Sequence, residues 1–225
     1  MFLVDVSQLW NRPDPLFLPL IGANPVLING KPIFGRVIFA HGAGAGMESP
    51  FMQDLAESMA ELGLEVIRFE FPYMQKNRQD GKRRPPDRMP KIIEAFERVI
   101  NAYAKDDIPL YLAGKSMGGR AASMLLDHPA IRAGFVFGFP FHPRGKPEKL
   151  RTEHLIDNKR PLLIFQGERD PMGSLLEVKE YNLPDSVQLH WLNDGDHDLK
   201  PRKSSGFSHE EHKATVVNVI KGFIE

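Results

Sequence analysis

Leu110-Tyr-Leu-Ala-Gly-Lys-Ser-Met-Gly-Gly-Arg120 places Gly114-x-Ser116-x-Gly118 where an apolar run passes into a stretch rich in alanine, methionine and leucine. Ile108 to Ala113 reads as a short strand, and Met117 to Leu126 as a helix that His128-Pro129 ends. A serine on such a sharp strand-to-helix turn has its hydroxyl clear of the sheet, with glycines letting the two backbones pass. The bare pattern also arises by chance, and Gly114-Lys115-Ser116 mimics the end of a phosphate-binding loop. That loop needs a glycine where this chain has Pro109, so the nucleophile reading is preferred.

A serine hydroxyl needs a base, an acid to orient the base, and donors for the oxyanion. Downstream, Pro161-Leu-Leu-Ile-Phe-Gln-Gly-Glu-Arg-Asp170 is an apolar run ending in a polar turn, and Val187-Gln-Leu-His-Trp-Leu192 alternates before breaking at Asn193-Asp-Gly-Asp-His197. The acid is therefore Asp170 and the base His197, in the order serine, acid, histidine. His41, His142 and His190 are rival bases; Glu168, Asp194, Asp196 and Asp198 are rival acids. His41 and His142 at strand ends suit a wall or hydrogen-bond support better, and His190 lies within a strand. Gly35-Arg-Val-Ile-Phe-Ala-His-Gly-Ala-Gly-Ala-Gly46 is another strand entering a glycine-rich loop. Its Ala43 amide and that of Met117 are the expected oxyanion donors.

The 225 residues fit one domain spanning 1–225, with little length left for a lid. The 29 basic and 29 acidic residues cancel, so nothing global points to nucleic acid. No cysteine is present, which rules out disulfides, zinc-thiolate sites and a cysteine nucleophile. Met1 to Val4 is a brief apolar start before Asp5, without the features of a signal peptide, and no run reaches membrane-spanning length. No membrane partner is expected and the default location is the cytoplasm. Strands are predicted near 36–40, 64–69, 108–113, 133–138, 162–166 and 187–192. Helices are predicted near 50–62, 89–104, 117–127, 174–181 and 208–224. The alternation indicates an α/β fold, a mostly parallel sheet with helices on both faces. Asn29-Gly30 is read as a hairpin turn joining Val26-Ile28 to Ile33-Phe34.

Taken together, His41-Gly-Ala-Gly-Ala-Gly-Met47, Arg68-Phe-Glu-Phe-Pro-Tyr-Met74, Arg83-Arg-Pro-Pro-Asp87, Gly114 to Arg120, Gly138-Phe-Pro-Phe-His-Pro143 and Gly195-Asp-His197 carry a resemblance. The chain resembles the α/β-hydrolase superfamily over nearly its whole length. It is similar, more narrowly, to small bacterial hydrolases grouped with testis-expressed protein thirty and the third regulatory subunit of the nonspecific-lethal complex, near dienelactone hydrolases. The resemblance implies a single-domain α/β-hydrolase fold with minimal or no lid and a Ser116, Asp170, His197 triad. It leaves the substrate open, and serine stands where dienelactone hydrolases use cysteine.

The expected activity is a carboxylesterase-like serine hydrolase acting on a small acyl compound, needing neither cofactor nor metal. An acyltransferase, a small peptidase or a non-catalytic scaffold are the alternatives. His41, Gly42, Tyr73, Phe141 and His142 are expected around the pocket. Arg83 and Arg84 belong to a basic loop with Lys76, Arg78, Lys82 and Arg88, offset by Asp80 and Asp87. That loop offers an anionic substrate bidentate partners.

Overall fold

Val37, Ile38 and Phe39 are completely buried, because the strand that holds them has a layer of helices on each side. The computed structural model describes residues 16–21 and 24–225. Eight strands are present among the described residues: β1 (Leu16–Ile21), β2 (Asn24–Asn29), β3 (Gly35–Ala40), β4 (Leu64–Phe69), β5 (Leu110–Lys115), β6 (Ile131–Phe137), β7 (Leu162–Gly167) and β8 (Val187–Leu192). They form one sheet in the order β1-β2-β4-β3-β5-β6-β7-β8. From β4 to β8 all neighbours are parallel, while β2 runs antiparallel to both β1 and β4. The expectation for Met1 to Asp5 lies outside the described residues.

Strand alternation divides the core in two. Val37, Phe39, Tyr111, Phe135 and Phe165 meet α1 (Pro50–Glu61) and α6 (His209–Ile224) on one face. Ile38, Leu112, Val136 and Ile164 meet α3 (Met89–Tyr103) and α4 (Met117–Ser123) on the other. The helix α1 starts with Pro50, whose missing N–H costs nothing at that position, and buries Met52, Leu55, Ala56 and Met59 at helical spacing. A reciprocal cap between Ser208 and Glu211 starts α6, which buries His212, Val216 and Ile220. Among the described residues, no helix is long and apolar enough to cross a membrane.

Three local expectations need correction. Gly30 does turn the chain, at φ 75°, but Ile33 and Phe34 do not pair back on β2. Their amides bond to the carbonyl of Gly63, and β4 takes the place beside β2 with four paired positions, Val26↔Phe69 to Asn29↔Val66. Two residues cannot compete with a full strand. The segment read as loop contains a helix, α2 (Pro72–Asp80), and the two predicted short helices contract to α4 and α5 (Leu175–Val178).

The neighbours β3 and β5 send their following helices to opposite faces, which opens a crevice at their carboxyl ends. Ligands bind at such switch points in open α/β sheets. Both glycine-bearing loops emerge there.

Candidate active site

Ser116 occupies the turn between β5 and α4 with φ 52° and ψ −115°, a conformation that non-glycine residues rarely adopt. The turn is possible because a Cβ on Gly114 would run into the backbone of Gly118 and Gly119, and one on Gly118 into the carbonyls of Ala40 and His41. Strand and helix therefore touch, and the serine between them projects outward.

Its hydroxyl lies 2.8 Å from His197 Nε2, and His197 Nδ1 lies 2.7 Å from Asp170 Oδ2. The buried carboxylate accepts from Nδ1–H, which leaves Nε2 free to accept from the serine. Asp170 is itself held: Met172 N–H donates to Oδ1 at 2.8 Å and Gln166 Nε2 to Oδ2 at 2.9 Å. Gln166, fully buried at the end of β7, also bonds the carbonyls of Phe139 and Gly173 and the amide of Phe139. The single polar residue in Leu162-Leu-Ile-Phe-Gln166 was the sequence signal for this support.

The rival acids are engaged elsewhere. Asp194 pairs with Arg169 and Arg202, and the hydrogen bond from Arg202 leads in holding its carboxyl down to about 2. Asp196 accepts from the amides of Asp198 and Lys200, Glu168 from the amide of Asp194, and Asp198 lies 3.1 Å from Lys115 Nζ. Of the rival bases, His190 stacks on Phe165 within β8, with ring centres 5.3 Å apart.

His41 is completely buried, with Nε2 accepting from Phe71 N–H at 3.1 Å and Nδ1 donating to the carbonyl of Gly42 at 2.7 Å. Burial pushes its pKa down, so it stays neutral and acts as a strut. Tyr73 is also buried and donates its hydroxyl to the carbonyls of Gly42 and Ala43 at 3.2 and 3.1 Å. Both donors draw the Gly42 carbonyl one way; across a trans peptide the Ala43 N–H must point the other way. Met117, first residue of α4, has no intrahelical acceptor for its amide. The two amides suit an anionic oxygen beside Ser116.

A cavity of about 660 Å³ opens at the serine. Its wall includes Gly42 to Ala45, Ser49 to Met52, Met172, Lys200 and His209, with Lys115, Ser116 and His197 also exposed to it. Gly42 is on this wall. His41, Tyr73, Phe141 and His142 are not: all four are buried in support of loops. Phe141 turns into the core against Phe139 and Tyr181, and His142 Nδ1 donates to the carbonyl of Pro143. Arg83 and Arg84 line a separate hollow of about 500 Å³ with Met74, Asn77 and Pro85, which shares Ala43 and Gly44 with the first cavity. The contribution of Ser49 to Met52 went unread because a helix start gives no sign of which cavity it borders.

Residues 34–225 match the family model described as an alpha/beta hydrolase domain, and the chain belongs to that family. Solved structures share the architecture. An alpha-beta serine hydrolase homologue from Coxiella burnetii is 17% identical with a TM-score of 0.63, covering 90% of this chain and 92% of that one. Dienelactone hydrolase from Anabaena variabilis is 19% identical with a TM-score of 0.65, covering 90% and 92%. An esterase from Pyrococcus furiosus is 17% identical with a TM-score of 0.63, covering 90% and 86%.

Proposed function

We propose that this member of the alpha/beta hydrolase domain family is a serine esterase that cleaves a small, negatively charged carboxylic ester through an acyl-enzyme on Ser116. The observation that carries the reading is the unbroken relay Ser116–His197–Asp170, with contacts of 2.8 and 2.7 Å, opening on a cavity. In this reading the Ser116 oxygen attacks the ester carbonyl while His197 Nε2 takes the hydroxyl proton. Asp170 holds the ring and stabilises the imidazolium. The tetrahedral oxyanion receives the Ala43 and Met117 amides, each such donor contributing about 2.7–4 kcal/mol in the transition state. Collapse breaks the bond to the alcohol, which takes the proton from His197. Water, deprotonated by the same nitrogen, then attacks the acyl-enzyme and restores the serine. The esterase name of the Pyrococcus furiosus neighbour supports an ester over an amide.

The hollow beside the oxyanion loop, lined by Arg83 and Arg84, supports a negatively charged substrate. Residues 70–91 hold seven cations against Glu70, Asp80 and Asp87 in a chain of zero net charge. Those carboxylates are already paired with Arg78, Arg84 and Lys91. Among the described residues Arg83 has no ion pair, and it lines the hollow that adjoins Ala43 and Gly44. A carboxylate-bearing ester would meet that guanidinium.

Steady-state rates for matched neutral and carboxylate-bearing esters, with peptide amides beside them, test both parts. The wild type is expected to favour the anionic ester by roughly tenfold in kcat/KM, about 1.4 kcal/mol. Arg83→Glu should abolish that preference and leave the neutral ester within about twofold. Equal rates on both esters would remove the charge assignment, and faster turnover of amides would replace the esterase by a peptidase.

A further inference from the structure

Lys115, between Gly114 and the nucleophile, has no part in the relay, yet it is buried in the middle of the site. Alternation along β5 sends its side chain to the face that carries Tyr111 and Ala113, beneath α1. There its ammonium donates to the backbone carbonyl of His197, approaches Asp198 Oδ1 at 3.1 Å, and lies 5.3 Å from the centre of the Phe51 ring. The side chain also borders the cavity that exposes Ser116.

To reach His197 the ammonium must cross the end of β6. Gly138 clears the way, since a Cβ there would strike the His197 carbonyl and crowd both Lys115 Nζ and His197 Nδ1. One side chain thus links the end of β5 to the loop after β8, although β6 and β7 both lie between those strands in the sheet.

Burying an ammonium costs solvation, and burial pulls its pKa below the ordinary lysine value against the opposing pull of Asp198, Asp170 and Asp196. A methionine would fill the same space without that cost. The charged group must therefore be explained by what it holds. The bond between Nδ1 and Asp170 fixes one edge of the imidazole, but a ring anchored at one point can still pivot. A second anchor on the carbonyl of the same residue stops the pivot.

We propose that Lys115 is a positioning residue of the hydrolytic site, whose ammonium ties the nucleophile's turn to the backbone of His197 and so fixes the imidazole at proton-transfer distance from Ser116. The inference rests on the reading of Ser116, His197 and Asp170 as the reacting relay. It predicts opposite effects on stability and turnover, because the interaction serves geometry at the expense of folding.

The experiment compares wild type with Lys115→Met, Lys115→Arg and Asp198→Ala, by thermal midpoint and by kcat and KM on a small neutral p-nitrophenyl ester. Lys115→Met is expected to melt at or above the wild-type midpoint while kcat falls about 10- to 100-fold, the scale of a slightly misplaced group. KM should stay within about twofold, and Lys115→Arg should regain much of the lost kcat. A kcat for Lys115→Met within about threefold of wild type overturns the proposal. So does a fall in midpoint and kcat together that arginine does not relieve. If Lys115→Met does not fold, Asp198→Ala decides, because its side chain is exposed: a threefold or larger loss of kcat, roughly, at an unchanged midpoint supports the anchor, and unchanged kcat refutes it. Wild-type turnover with all three variants unaffected defeats the anchor alone; a wild type with no turnover defeats the relay as well.

Discussion

At Ser116 the backbone stores strain, of the order of 1–3 kcal/mol for such a conformation, and the surrounding contacts keep it in place. The same economy governs the loop after β3, where two buried side chains grip the Gly42 carbonyl from behind. Tyr73→Phe removes one grip without changing shape. The expected outcome is a kcat lowered by roughly tenfold with KM nearly unchanged, since a loosened donor should cost less than a deleted one. Steady-state kinetics on the variant check this, and unaltered kcat would show that His41 suffices. That Ser116, Asp170 and His197 each sit just past a strand was legible in the sequence, because each follows an apolar run that stops at glycine or at a polar turn. The partners of the supports were not. A lone polar residue marks Gln166, but Gln166, Gly138 and Lys115 act across strand ends, and what they touch is defined by sheet order, which the linear pattern does not carry.

Elements with a strong apolar period were readable to within a few residues, as α1, α3 and α6 demonstrate. The helix α2 was hidden because Tyr73 is its only buried residue and every position from Gln75 to Asp80 is polar. Its ends were nonetheless marked, by Pro72 at the start and by Gly81 in the left-handed conformation just past the end. This helix brings Arg78 against Glu48 and Glu70 and sets Asp80 beside Arg84, so the basic segment is a braced surface. The edge of the sheet was misread for a different reason. Which strand lies beside β2 depends on competition among distant segments, and β4 offered the longer partner.

Across the whole molecule, the reversal of strand order at β3 and β5 brings together residues far apart in the chain. One half-buried histidine ties the stability of the fold to pH. Behind α4, His154 Nε2 lies 2.8 Å from Ser123 Oγ, and burial, followed by the nearby Arg120, pushes its pKa down to about 4. An unfolded histidine titrates near 6.5, so between these values the unfolded chain binds the extra proton. Stability is therefore complete above about pH 6.5 and declines as pH falls toward 4. Thermal midpoints taken across that interval should drop, and His154→Gln should flatten the slope; an identical slope in the variant would assign the loss to other groups.

In the proposed function one hydroxyl, at position 116, is made nucleophilic by the groups gathered at this crevice. Reaction with a fluorophosphonate, read by intact mass and peptide mapping in wild type and Ser116→Ala, tests it most directly. A single phosphonyl adduct is expected on the peptide containing Ser116 and none on the alanine variant. Equal labelling of the two proteins, or an adduct on another serine, would contradict it.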